Sequence, residues 1–185
     1  MPLSTGPEPK VKLIAAVMAV REELIGESLS VLSPSYGSVE LASPVFPFTY
    51  SSYYAAEMGK TLVKVFCSFR GVVDAGDIVA RKLEAMACER QFVTEGTASR
   101  RVNIDPGYVD GTKLVLGTTK SASHRVYISS GVYGDVELVY KRGAFEPLEW
   151  TYPDYRDATA REFFCKVRSR YMAELRELER NDSAA

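Results

Sequence analysis

The chain predicts an α+β fold: a ferredoxin-like (split βαβ) antiparallel sheet with two helices on one face, extended by a β-hairpin and a long C-terminal helix. Three observations predict it. Short β-prone apolar runs alternate with two stretches of helical periodicity in the order βαββαβ. Two further β-prone runs flank a turn containing Gly131 and Gly134, as a hairpin requires. Apolar residues then recur at helical spacing over residues 157–180.

Each element has a local reason. Residues 12–19 are nearly continuous apolar sequence, which reads as a strand buried on both faces. Residues 21–32 carry Leu24, Ile25, Leu29 and Leu32 at helical spacing, with an end expected before Pro34. Residues 39–41 make a short second strand, and residues 43–54 a loop with Pro44, Pro47 and five aromatics. Residues 62–69, rich in Val and Phe, are the third strand. The second helix spans residues 77–92, with Asp77 placed to cap it. Residues 101–104 form the fourth strand, and Pro106-Gly107 suits a type II turn after it. A short helix capped by Asp110 is expected over residues 110–118. The hairpin strands are then residues 125–128 and 135–141.

The totals set bounds. At 185 residues, 46% hydrophobic and 25% charged, the chain fits one globular domain over residues 11–180. Residues 1–10, rich in Pro, Ser and Gly, read as a flexible tail, and residues 181–185 as a frayed end. A net charge of −1 makes nucleic acid an unlikely partner by its field alone, although Arg100, Arg101, Lys120 and Arg125 could form a local basic patch. The apolar run near the N-terminus is too short to span a bilayer and has no secretory-signal pattern, so no membrane partner and a cytoplasmic location are expected. Three cysteines, Cys67, Cys88 and Cys165, stand far apart without metal or disulfide spacing.

The polar residues concentrate between residues 100 and 156, where the only His and the only Trp lie. Asn103 and Asp105 alternate by two, so both point to one face of a strand, and Asp105 is a candidate base. Thr118-Thr119-Lys120 offers hydroxyls and an ammonium to a phosphate or carboxylate. His124 has the titration range for proton transfer near neutrality, and Arg125 follows it. A single His excludes a two-histidine phosphoesterase, and no metal site is assigned. Tyr53-Tyr54 with Glu57, and Trp150 to Arg156, interleave aromatics with acids and could wall a pocket or form an interface. Gly59-Lys60-Thr61 imitates the tail of a phosphate-binding P-loop, but Tyr54 occupies the position of its first glycine, so that chemistry is rejected.

These segments carry a resemblance. Ser43-Pro44 with Phe46-Pro47-Phe48, Tyr53-Tyr54 with Glu57-Met58-Gly59, residues 101–108, residues 113–120, His124-Arg125-Val126-Tyr127 and residues 145–155 are together similar to a bacterial family catalogued as domain of unknown function 4416. The likeness covers residues 10–175. It implies no activity or cofactor.

The residues themselves lead to a binding protein or small enzyme for an anionic metabolite, phosphorylated ones included. In that reading Arg101, Lys120 and Arg125 hold the anion, Asp105 and His124 exchange protons, and Asn103, Tyr54, Glu57, Tyr108 and Tyr152 shape the pocket. The alternative is a non-catalytic interaction module, using aromatic loops and a sheet edge against another protein or a second copy of the chain.

Overall fold

The computed structural model describes residues 6–97 and 99–182. Among the described residues ten strands form one antiparallel sheet: β1 (Lys10–Ala19), β2 (Val39–Ala42), β3 (Phe46–Pro47), β4 (Val63–Phe69), β5 (Val73–Asp74), β6 (Val102–Val109), β7 (Lys113–Thr118), β8 (Arg125–Ser129), β9 (Val132–Lys141) and β10 (Ala144–Pro147). The α-helices are α1 (Glu22–Tyr36), the single turn α2 (Ala55–Met58), α3 (Ile78–Gln91), the single turn α4 (Pro153–Arg156) and α5 (Ala158–Asp182). The main strand order is β10-β9-β7-β6-β1-β4-β2, with β3, β5 and β8 added at β4, β1 and β9.

The sheet is covered on both faces, and the pleat of β1 shows why. Leu13, Ala15, Val17 and Ala19 pack with Leu24, Ile25 and Leu32 of α1 and with Ala85 and Cys88 of α3. Ile14 and Ala16 face the other way, into a cluster with Phe66, Tyr155, Phe163, Phe164 and Val167 beneath α4 and α5. Met18 shares that second face with a smaller group made by Phe48, Met58 and Leu62. A strand with cores on both sides has no polar face to offer, which accounts for the apolar run from Leu13 to Ala19.

Four local expectations are corrected. The first helix does not stop before Pro34: that proline sits inside α1, which runs on to Tyr36. Tyr36 is buried, its ring meets Phe69 at 5.1 Å and its hydroxyl donates to Arg81 O at 2.5 Å, so tertiary packing holds the last turn. Pro106-Gly107 is strand, not turn: β6 pairs with β1 from Val102 to Val109, with Pro106 opposite Ala15. The ladder to β7 starts only at Gly107, so Pro106 lies just outside it. Residues 110–118 are not helical. Asp110 Oδ1 accepts the amides of Thr112 and Lys113 at 2.6 and 2.8 Å, closing a turn from which β7 departs. Gly134 lies within β9, and the hairpin turn is Ser130-Gly131, both at positive φ, as a two-residue type I′ turn requires.

The ends also differ. Of the expected tail, residues 8–10 are tied down: Glu8 Oε1 accepts the amide of Gly76, Pro9 O accepts that of Ala75, and Lys10 belongs to β1. Residues 1–5 lie outside the described residues. Asn181 and Asp182 are still helical, and residues 183–185 lie outside the description. Among the described residues no helix is long and apolar enough to cross a membrane.

Candidate functional site

The site begins where the sheet splits. The β6–β7 ladder ends at Gly107 opposite Leu116, and beyond it Gly117 and Thr118 pair with β9 alone. Residues 102–106 of β6 therefore have an open edge, whose backbone groups need partners. Two buried residues of α3 supply them: Glu89 Oε1 accepts the amide of Ile104 at 2.7 Å, and Lys82 Nζ donates to Ile104 O at 3.1 Å.

A polar chain runs along this wedge. Lys82 also pairs with Asp105 Oδ1 at 3.1 Å, and Asn103 Nδ2 donates to Asp105 Oδ2 at 2.9 Å. Arg100 reaches Asn103 Oδ1 at 3.1 Å and Glu89 Oε2 at 2.8 Å, and grips Glu57 with two bonds of 2.6 and 3.0 Å. Hydrogen bonds from Arg100 hold the Glu57 carboxyl below its ordinary pKa despite some burial. Burial pushes Asp105 upward, but Lys82, Lys64 and the bonds from Lys82 and Asn103 outweigh it and the net shift is downward. Asp105 is thus an ionised partner of a lysine.

The opposite wall comes from β4 and the start of α4. Lys64 Nζ pairs with Asp154 Oδ2 at 2.6 Å and lies 5.1–5.4 Å from the ring centres of Phe48, Phe66 and Tyr155. Arg125 braces the third side, bonding Asp135 Oδ2 at 2.7 Å, Tyr152 Oη at 2.7 Å and Lys120 O at 3.0 Å. His124 stacks on Trp150, with ring centres 5.1 Å apart, and its Nε2 is 3.8 Å from Asp135 Oδ2. Behind them Glu137, with no exposed surface, accepts the amide of Tyr152 at 2.9 Å. Burial pushes this carboxyl up to about 8, against the pull of that amide.

These walls enclose two adjoining compartments of about 240 and 120 Å³. Tyr54, Asn103, Asp105, Leu116, Lys120 and Tyr152 border both. The larger adds Phe48, Tyr50, Tyr53, Lys64, Asp154 and Tyr155; the smaller adds Lys82, Arg100, Thr118, Thr119 and Asp135. Lys120 stands between them, its Nζ 4.0 Å from the ring centre of Tyr53, and makes no ion pair among the described residues. Larger depressions of about 550 and 470 Å³, beside α5 and under residues 43–50, contain neither Lys120 nor Asp105.

Of the residues singled out by sequence, Tyr54, Asn103, Asp105, Lys120 and Tyr152 line the cleft directly. Arg125 and Glu57 act one step back, through Tyr152 and Arg100. His124 is not among the lining residues, and no contact joins it to Asp105 among the described residues. Arg101 lies outside the lining too; its neighbour Arg100 turns inward instead. Tyr108 falls opposite Leu13, on the face away from Asn103 and Asp105, because it sits an odd number of residues from them.

Sequence reasoning missed Lys64, Lys82, Glu89, Asp135 and Glu137. A signal existed for two of them: Asp135 and Glu137 alternate within an apolar strand, the pattern used for Asn103 and Asp105. Cys67 and Cys88 carry no comparable chemistry, since burial raises their thiols to about 12 and about 11. Among the described residues no group of three or more His, Cys, Asp or Glu side chains is placed to hold a metal ion.

No curated protein and no solved structure matches the chain. A family model does match, over residues 9–171, so the cleft and the sheet that builds it lie within a shared unit: the chain belongs to the family described as domain of unknown function (DUF4416).

Proposed function

We propose that the protein binds a small anionic metabolite in the wedge between β6 and β7, with Lys120 as the principal contact for the anion. One observation carries this reading. Lys64, Lys82, Arg100 and Arg125 each have a carboxylate in ion-pair contact, whereas Lys120 borders both compartments and makes no ion pair among the described residues. A lysine held over an aromatic ring at the mouth of a partly desolvated cleft is a cation awaiting an anion. Thr118 and Thr119 add hydroxyls beside it. In this reading Asp105 positions Lys82 rather than taking a proton, and His124 reaches the site only through Asp135. We also read the inner strands β6-β1-β4-β2, with α1 and α3 packed together against one face, as a ferredoxin-like unit extended by β7 to β10.

A thermal-shift series with phosphate, sugar phosphates and small carboxylates tests the anion site. A ligand at a hundredfold excess over its dissociation constant adds about 2.7 kcal/mol to stability. The expected outcome is a raised melting temperature in the wild type and no shift in Lys120→Ala. Equal shifts in both proteins would refute the assignment.

A second reading rests on β8. Val126, Tyr127 and Ile128 are 72, 58 and 42% exposed on a strand that pairs only with β9 among the described residues. Such an edge can accept another strand. That reading expects self-association in sedimentation velocity at micromolar protein and its loss in Tyr127→Lys. A monomer at all concentrations counts against it.

A further inference from the structure

We infer that the anion occupying this cleft carries a hydroxylated body, making the ligand a phosphorylated sugar or polyol; the inference rests on the anion site at Lys120. The leading observation is Asp135. Its side chain is 1% exposed and borders the smaller compartment, and its Oδ2 is taken by Arg125 at 2.7 Å. Its other oxygen, Oδ1, is buried and accepts no hydrogen bond from the described residues. A buried carboxylate oxygen without a donor is costly, and native proteins rarely leave one so. The nearby cations do not meet the need, because Lys82 and Arg100 are spent on Asp105, Glu57 and Glu89. A phosphoryl oxygen cannot meet it either, since two anionic acceptors repel. The donors left to it are the carboxyl proton of Glu137, two residues along β9, and a hydroxyl on another part of the occupant; of these the hydroxyl is the one inferred.

The larger compartment points the same way. It presents donor–acceptor couples, Lys64 with Asp154 and Asn103 with Asp105, bonded at 2.6 and 2.9 Å. A hydroxyl both donates and accepts, so it can bridge such a couple where a purely apolar group would leave it dry and unmatched. The rings of Tyr53, Tyr54 and Tyr152 border the same space and give flat surfaces for the C–H face of a sugar. Acids beside aromatic platforms suit hydroxyl donors better than a bare planar ring. The phosphate would sit at Lys120 with Thr118 and Thr119, and the hydroxyls would extend toward Asp135 on one side and Asp154 on the other.

Calorimetric titration with ribose 5-phosphate, glucose 6-phosphate and ethyl phosphate tests the inference, since ethyl phosphate carries a similar charge without hydroxyls. At least one sugar phosphate is expected to bind about tenfold or more tightly than ethyl phosphate, the range for a hydrogen bond to a charged group. Asp135→Asn is expected to erase most of that advantage, bringing the ratio between the sugar phosphate and ethyl phosphate to within about twofold. Should that variant not fold, Tyr53→Leu replaces a ring that is 65% exposed and is expected to weaken the sugar phosphate more than ethyl phosphate. Equal binding of all three esters to the wild type would overturn the hydroxyl assignment and leave the anion site standing. Binding of none of them, nor of small carboxylates, would overturn both.

Discussion

At Glu137 a fully buried carboxyl accepts one amide through Oε2, while Oε1 makes no hydrogen bond among the described residues. Burial therefore keeps it protonated to about pH 8, whereas in the unfolded chain it ionises near its ordinary value. Between those two values the folded state holds a proton that the unfolded state has released, so stability falls as pH rises across this window and levels off above it. Glu137→Gln removes the titration. The variant is expected to match the wild type near pH 4.5 and to exceed it at pH 8 by on the order of a few kcal/mol, read from urea denaturation at a series of pH values. A wild type whose stability is flat over that range would contradict the protonated carboxyl. At this scale the sequence was a partial guide. The spacing of Asn103 and Asp105 announced a shared face, but which arginine of Arg100-Arg101 turned inward depended on the strand's start, and an error of one residue reverses the answer.

Elements were legible where the chain makes its own local case and obscure where partners decide. The apolar run of β1, the helix of α3 and the long α5 follow from periodicity within a few residues of their observed ends. β7 did not: Leu114-Val115-Leu116 is too short to reveal a period, and Asp110 serves a turn as readily as a helix cap. Pro106-Gly107 misled for a related reason. It is turn chemistry by composition, yet a Cβ at Gly107 would lie 2.4 Å from Val115 O, so this glycine lets β6 and β7 come together at the base of the wedge. Gly107→Ala is expected to destabilise the protein by about 3 kcal/mol, because backbone stands in the way and the two strands must part. Chemical denaturation measures this directly; a loss below about 1 kcal/mol would mean that the strands yield easily.

Across the whole molecule, the cleft exists because the sheet is not uniformly laddered. β1 binds β4 and β6 along most of its length, whereas β6 and β7 separate after three paired positions and leave an edge that α3 satisfies with Lys82 and Glu89. That edge, and the charges buried around it, could not be read from sequence, since neither the splay of β6 from β7 nor the meeting of residues distant along the chain has a local signature. Lys64 illustrates the limit: within Val63-Lys64-Val65-Phe66 it reads as one polar break in a strand, yet it forms a buried pair with Asp154. The family model spans residues 9–171, a range that includes every residue of the cleft. The most direct test of the anion site is a crystal structure grown with the phosphate ester that binds most tightly in solution. The account predicts the phosphoryl group within hydrogen-bonding distance of Lys120 Nζ, between β6 and β7. An empty wedge, or the ester bound elsewhere on the molecule, would contradict it.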